Sequence, residues 1–326
     1  MRQTNDITIT LANPADYPGI VAIAKAIDPF FIYTPEGLLT DDIHVAQSHF
    51  HRRWVAKDRA DRLLGYLTVS NKMDMGEPGF YWGVIQVLPE AQKQGIGTLL
   101  FRHFEDVALP RDRKMLLGMV LLTGQTPGTE FTEKRGFSRK GVSQEFGFDL
   151  QSWTPRLVTP QEISIVSLPE LARDEHWVEK LYDLYISFLP DIPLMADMQL
   201  PSMADFLKML DRDKSSHSIQ CVAVGPERYE GLSFLVRTPH PTVAYTHLTG
   251  VRRDARKNGL GRTLKFAAMQ RAKQEGMTTV LTQCHADNAA MIALNEKLGF
   301  RPQRTVAIYM KDLGAGKLPL NVEDEP

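Results

Sequence analysis

The chain has 326 residues, 43% of them hydrophobic, and a formal net charge of −1 at pH 7. That length exceeds one typical domain and suggests two, and the charge balance excludes a global field that would gather nucleic acid or an anionic membrane surface. Two cysteines far apart, Cys221 and Cys284, argue against a disulfide scaffold or a zinc cluster; the opening MRQTNDITIT lacks the form of a signal peptide, and no apolar run reaches the ~18–20 residues of a membrane helix. A soluble cytoplasmic protein, monomer or homodimer, is expected.

In chain order, ITITLANPADYPGIVAIAKAI (7–27) reads as a short alternating strand, a loop and an amphipathic helix. SHFHRRW (48–54) holds two histidines and two arginines; with no third ligand nearby, it reads as a solvated strand end and no metal is expected. RWVAKD and RLLGYLTVS read as paired strands. In VLPEAQKQGIGTLLFRHFEDVA (Val87 to Ala108) a loop carrying QKQGIG opens a helix. An apolar strand, MLLGMVLL, then EKRGF and FGFDL complete the first half. QSWTPRLVTPQE (151–162), with two prolines and little periodicity, marks a boundary.

The second half repeats this order. ISIVSLPELARDEHWVEKLYDLY (163–185) matches the first strand and helix, and SIQCVAVG and EGLSFLVRT match the strand pair. RKNGLG, Arg256 to Gly261, matches QKQGIG position for position, with Gly95 over Gly259 and Gly97 over Gly261. TTVLTQC, EKLGF and YMKDL follow. Gly95 to Gly259 is 164 residues and Phe137 to Phe300 is 163, so one residue was gained or lost in between. So long a period means tandem domains and not a solenoid. The expected division is 1–150, a linker at 151–162, a second domain at 163–313, and a mobile polar tail at 314–326. Strands joined by short turns suggest antiparallel pairing, and the strand–loop–helix–strand unit implies a parallel pair with a crossover. Each domain is therefore expected to be a mixed α/β sheet.

The glycines have a physical reading. The first turn of a helix leaves N–H groups unpaired and carries partial positive charge, which suits a phosphate. Gly259 and Gly261 let it approach the backbone without an intervening Cβ. Arg252, Arg253, Arg256, Lys257 and Arg262 crowd this turn, whereas the first copy has only Lys93 in its loop. The motif lacks the G-K-[ST] ending of a Walker loop and the third glycine of a dinucleotide fingerprint. A strand before it, a helix after it and its presence twice raise its weight.

[QR]-x-x-G-x-[GA] between strand and helix, then E-K-x-G-F after a further strand and helix, resembles the GNAT acyltransferase superfamily. The resemblance covers nearly the whole chain as two tandem GNAT-type domains, each a mixed, mostly antiparallel sheet flanked by helices. The second half, with HLTGVRRDARKNGLG and DNAAMIALNEKLGF, is similar to tandem-GNAT enzymes that include mycothiol synthases. The resemblance implies acetyl-CoA, or another acyl-CoA, as donor. Its pyrophosphate would rest on Arg256, Lys257, Asn258, Gly259, Leu260, Gly261 and Arg262, with Arg252 close by, or in the first copy on Gln92, Gln94, Gly95, Ile96 and Gly97. The pantetheine arm would pair with Leu248, Thr249, Gly250 and Val251, or with the strand ending at Val87. Asn288 is a further candidate for contact with that arm.

The chain departs from the family where a tyrosine often serves as general acid. That position, five before the phenylalanine, is Asn295 in the second copy and Thr132 in the first. Asn295 would hydrogen-bond the cofactor instead, and Tyr309 is a candidate acid whose alternative is a packed strand tyrosine. No acid stands on the strand before the loop. Eleven residues before the motif are Tyr245 and Tyr81, and His247 shares a face with Tyr245. His247 has the right pKa for a general base; the alternative is a structural strand histidine. Asp191, in LPDIPLMADM, would attract a cationic acceptor or simply be solvated. The resulting expectation is transfer of an acetyl group to a small-molecule primary amine, with the second domain catalytic. The rival is a non-catalytic acyl-CoA-binding sensor or scaffold.

Overall fold

The computed structural model describes residues 6–47, 49–71, 79–108, 113–122, 127–154, 162–192, 200–212 and 214–313. The expected tail at 314–326 and most of the expected linker lie outside these residues. The chain divides into two compact units, one running to Gly141 and resuming at Val306, the other Val142–Thr305.

The first unit takes β1 (Thr8–Leu11), α1 (Tyr17–Ile27), α2 (Pro35–Ala46), β2 (His51–Lys57), β3 (Leu63–Ser70), β4 (Phe80–Val87), α3 (Ile96–His103), β5 (Met115–Leu121) and α4 (Pro127–Glu133). Then come β6 (Ser138–Asp149), β7 (Ser164–Ser167), α5 (Leu168–Leu171), α6 (Trp177–Phe188), α7 (Met203–Arg212), β8 (Gln220–Val224), β9 (Tyr229–Arg237), β10 (Val243–Val251), α8 (Leu260–Gln274), β11 (Thr279–His285), α9 (Ala289–Leu298) and β12 (Arg301–Asp312). The sheet order is β1-β2-β3-β4-β5-β12 in the first unit and β6-β11-β10-β9-β8-β7 in the second. Each sheet is mixed: β4–β5 and β10–β11 run parallel, and the remaining described pairings are antiparallel.

These units differ from the sequence halves at their last strands. Residues 143–149 of β6 pair with β11, and 306–312 of β12 pair with β5. Phe146, Phe148 and Leu150 join the core around Leu264 and Val280, while Ala307 and Tyr309 join the core around Leu100 and Leu116. The two strands are equivalent in the repeat, both of twelve residues, so the same alternating pattern serves either sheet. Sequence similarity defines the repeat without saying which sheet receives the strand.

Both faces of each sheet are covered. In the first unit α3 covers one face and α1 with α2 the other; in the second, α8 covers one and α5 to α7 the other. Leu100 and Leu264, each fully buried, hold the two equivalent helices down, each burial contributing about 1.5–3 kcal/mol. The first unit also holds a buried ion network. Asp42 accepts from Tyr17 Oη at 2.8 Å and from Arg53 Nε at 2.8 Å, with His51 Nε2 at 2.8 Å. Arg53 and His51 hold the Asp42 carboxyl far below the usual carboxylate range, against the opposing effect of burial. His51 is thus a structural partner of Asp42. Among the described residues no group of three or more His, Cys, Asp or Glu is placed to hold a metal, and no helix is long and apolar enough to cross a membrane.

Candidate acyl-CoA clefts

The two glycine loops have the same backbone. Lys93 and Lys257 are left-handed at φ 59° and 68°, and Gly95 and Gly259 at φ 86° each. Such alternation turns successive N–H groups into one concavity, an anion nest, which opens directly into the N-terminus of α3 or α8. The first residue of each motif anchors the loop: Gln92 Nε2 donates to the Val87 carbonyl at 3.0 Å, and Arg256 Nε to the Val251 carbonyl at 2.9 Å. Among the described residues a Cβ on Gly259 would meet nothing within 4 Å, so these residues leave the loop open to a ligand. The donor set therefore fits a pyrophosphate in both units.

In each unit the parallel pair ahead of the loop comes apart. β4 and β5 pair from Phe80–Met115 to Gly83–Gly118, and β10 and β11 from Val243–Thr279 to Thr246–Thr282. Beyond these pairs the ladders stop. The strands leading to the splits differ by one residue. β4 pairs regularly with β3, whereas β10 shifts register against β9 between Thr246 and Leu248. His247 is the extra residue. This bulge places Tyr245 over Trp82 in the repeat, by their partners Leu281 and Leu117, and not over Tyr81 as the sequence offset suggests. Tyr81 is in the core.

The other candidates fall in several environments. Leu248 packs toward the α6 core and Val251 toward the α8 core. Thr249 Oγ1 lies 3.1 Å from Ser233 Oγ. A Cβ on Gly250 would stand 2.3 Å from the Phe188 ring, so glycine there admits the end of α6. Leu260 is buried, its N–H donating to Asn258 Oδ1 at 3.3 Å. Gly261 has only ordinary contacts, to Val251 and Leu294, whereas a Cβ on Gly97 would press Phe131 at 3.2 Å. Asn288 caps α9, accepting from Met291 N at 3.1 Å. Asp287 is largely exposed.

The basic residues of the second loop are mostly engaged. Arg252 Nε donates to the Tyr229 carbonyl at 2.8 Å and its Nη2 pairs with Asp183. Arg253 and Arg256 both pair with Asp191, and they hold its carboxyl down at about 2. The structure therefore places Asp191 at the glycine loop. Arg262 lies over the Phe266 ring. Lys257 is exposed.

Tyr245 Oη donates to Gln283 Oε1 at 3.1 Å, and burial first, then Glu145, pushes its phenol up. Asn295 is fully buried and accepts from Lys265 Nζ at 2.8 Å. Burial pushes Lys265 down to about 8. Tyr309 lies in the first unit, fully buried, donating to Glu133 Oε1 at 3.0 Å. It is thereby a packed strand tyrosine of the first unit's core, because β12 pairs with β5. Cys221 and Cys284 are both buried and free, and burial raises both thiols, so neither is presented as a nucleophile.

Sequence reasoning missed Glu145. It lies on β6 opposite Gln283 of β11, one strand from the second split. Arg304 reaches its two carboxylate oxygens at 2.9 and 3.0 Å. It escaped notice because the sequence places it in the first half. Lys265 was missed as well; a lysine in a row of alanines and leucines (TLKFAAM) was the available signal.

These features are those of a family. The chain belongs to the GNAT acetyltransferase family: the GNAT acetyltransferase domain model matches residues 49–139 and the GNAT acetyltransferase family model residues 178–300, in tandem. It is 24% identical over 249 residues to a mycothiol acetyltransferase of Geodermatophilus obscurus, covering 72% of this chain and 76% of that one. A mycothiol acetyltransferase of Paenarthrobacter aurescens is 35% identical, over 71 residues that span 22% of each chain. Among solved structures, a GCN5-related N-acetyltransferase from Sphaerobacter thermophilus superposes with TM-score 0.77 at 15% identity, over 97% of this chain and 98% of that one. A tandem GNAT protein from the clavulanic acid biosynthesis pathway gives TM-score 0.71 at 21% identity, over 95% and 100%. At these identities the likeness to solved structures is one of fold.

Proposed function

We propose that the protein transfers an acetyl group from acetyl-CoA to a primary amine of a small molecule, and that the second unit carries the chemistry. The observation behind this choice is the bulge at His247, which stands where β10 parts from β11 and directly precedes an open left-handed glycine loop. The donor supplies an acyl group already activated as a thioester. The N–H groups of Lys257, Asn258, Gly259 and Gly261 at the start of α8 hold its phosphates. Beyond Thr246, the β10 edge that β11 has left takes the arm in the manner of an added strand. A bulge turns the local backbone, so an N–H there is aimed at the acyl oxygen, where negative charge develops during attack.

The acceptor must lose a proton first, because a free alkylamine has a pKa of roughly 10. His247 is the residue at the split whose imidazole would receive that proton. Tyr245 is held neutral and donates to Gln283, so it orients the strand and does not act as base. Asn295 is turned to Lys265, so the leaving thiolate is protonated by solvent. This last point also supports a second reading, an acyl-CoA sensor without turnover.

The experiment is thiol release from acetyl-CoA across a panel of amines, with wild type and Gly261→Trp. Amine-dependent release that disappears in the variant supports transfer in the second unit. Binding of acetyl-CoA with no release for any amine would support the sensor.

A further inference from the structure

The first unit has a cleft of about 660 Å³ that runs from Gln92, Gly95 and Thr98 of its glycine loop down to the β4–β5 split. We propose that this cleft is built to bind an acyl-CoA with a linear acyl chain longer than acetyl, and to hold it without transferring it. The inference rests on the acyl-CoA reading of the glycine loops given above, and concerns a unit to which that reading assigns no chemistry.

The deep end of the cleft is lined by Phe101, Phe104, Leu117, Val120 and Phe137, all buried members of one core or its edge. At the split itself two glycines face each other, Gly83 and Gly118. They are there for different reasons. A Cβ on Gly83 would stand 2.9 Å from the Phe104 ring, so that glycine admits the ring. Among the described residues a Cβ on Gly118 would meet only Phe137, at an ordinary 3.9 Å. Gly118 is not among the positive-φ residues. Neither its backbone nor its packing against the described residues demands glycine at 118; its missing side chain is space in the cleft.

The same positions in the second unit are closed and polar. Thr246 and Thr282, both buried, form the last pair before the split. By the spacing of the repeat, Phe101 corresponds to Lys265, Val120 to Cys284 and Thr132 to Asn295. Those three form a buried polar group, Lys265 donating to Asn295 and Asn295 Nδ2 lying 3.9 Å from Cys284 Sγ. These groups are already buried and paired, so an apolar chain enters there only by separating Lys265 from Asn295, at the cost attached to an unsatisfied buried polar atom. In the first unit it would meet phenylalanine and leucine. The first unit also lacks the bulge, since β4 pairs regularly with β3 to its end. Nothing there re-aims an N–H at the acyl oxygen, so chain binding is not coupled to attack. One framework thus serves two acyl groups, a short one in the second unit and a longer one in the first.

The test is calorimetric titration of the full chain with CoA, acetyl-CoA, butyryl-CoA and hexanoyl-CoA, for wild type, Gly118→Val and Gly118→Ala. Wild type should bind more tightly by about fourfold for each CH₂ that enters the cleft. Gly118→Val should keep its affinity for CoA and lose that gain. Gly118→Ala adds only the tolerated Cβ and should reduce the gain without changing the fold. Equal affinity for all chain lengths, with CoA itself binding, would overturn this inference and leave the donor reading intact. A gain that persists in Gly118→Val would also overturn it, because the chain would then lie elsewhere. Failure of CoA to bind at all would overturn the donor reading and this inference together.

Discussion

The two units share a loop, a helix and a split sheet, and differ in what stands at the split. The first unit has a regular β4, glycines at the apex and aromatic walls. The second has a bulge at His247, threonines at the apex and a buried lysine–asparagine pair beneath. Their glycine loops are superimposable in φ. On the acyl-CoA reading proposed above, loop geometry sets what kind of ligand is held, and the strand ahead of the loop sets what is done with it. One inserted residue would make that difference, because a strand's faces and N–H directions alternate at every position.

The largest way to break the comparison is to remove the first unit's frame. Asp42→Ala strands Arg53 as a buried, unpaired guanidinium, which should cost about 3–5 kcal/mol. Denaturant unfolding should show early loss of the first unit while acetyl-CoA binding to the second persists. Asp42 also sets the acid limit. Its folded pKa is depressed, so its stabilisation is complete above the unfolded value of about 4 and is lost only as pH falls through the folded value.

Deleting His247 should turn β10 into a second β4. The expected loss is about 10²–10³ in kcat, with CoA affinity retained. His247→Ala keeps the bulge and removes only the imidazole, so comparing the two variants separates backbone from side chain. Equal activity of the deletion and wild type would show that the bulge is irrelevant to turnover.

A smaller effect concerns Lys265. Its folded pKa is lowered to about 8, below the unfolded value of about 10.4. Between these values the unfolded state binds more protons at this lysine, so the Lys265 contribution to stability rises with pH across this window, opposite in sign to the contributions of the buried Cys221 and Cys284 thiols, whose pKa values are raised. The rise should be on the order of 2 kcal/mol, read from denaturant midpoints at either end of the window. It is isolated as the difference between wild type and Lys265→Met, in which that contribution should be absent.

The smallest expected effect lies at Asp191. Its ion pairs with Arg253 and Arg256 are partly exposed, a class worth roughly 0.2–1 kcal/mol. Asp191→Asn should free both guanidinium groups and tighten CoA binding to the second unit about two- to fivefold at low salt. High salt should erase the difference.

Much of this was legible in the sequence for physical reasons. The paired G-x-G motifs announced two helix N-termini with left-handed glycines before them, because few other sequences place glycine there twice in register. The strand–loop–helix–strand order required a parallel pair in each sheet. Two things were hidden. The exchange of β6 and β12 leaves no local mark, since equivalent strands carry equivalent patterns; it moved Tyr309 into the first unit and brought Glu145 beside the second site. The bulge was hidden as well. Its extra residue, His247, lies between Tyr245 and the glycines, so counting back from the glycines set Tyr245 over Tyr81, one residue out of register. Asn288 and Asn295 were read from their place in the motif, but a helix cap and a buried lysine had prior claims on their side chains.

The most direct measurement is thiol release from acetyl-CoA with a broad amine panel, comparing wild type with Gly261→Trp. Transfer in the second unit predicts amine-dependent release in wild type and its loss in the variant. Release that survives Gly261→Trp, or no release with any amine despite bound acetyl-CoA, would contradict it.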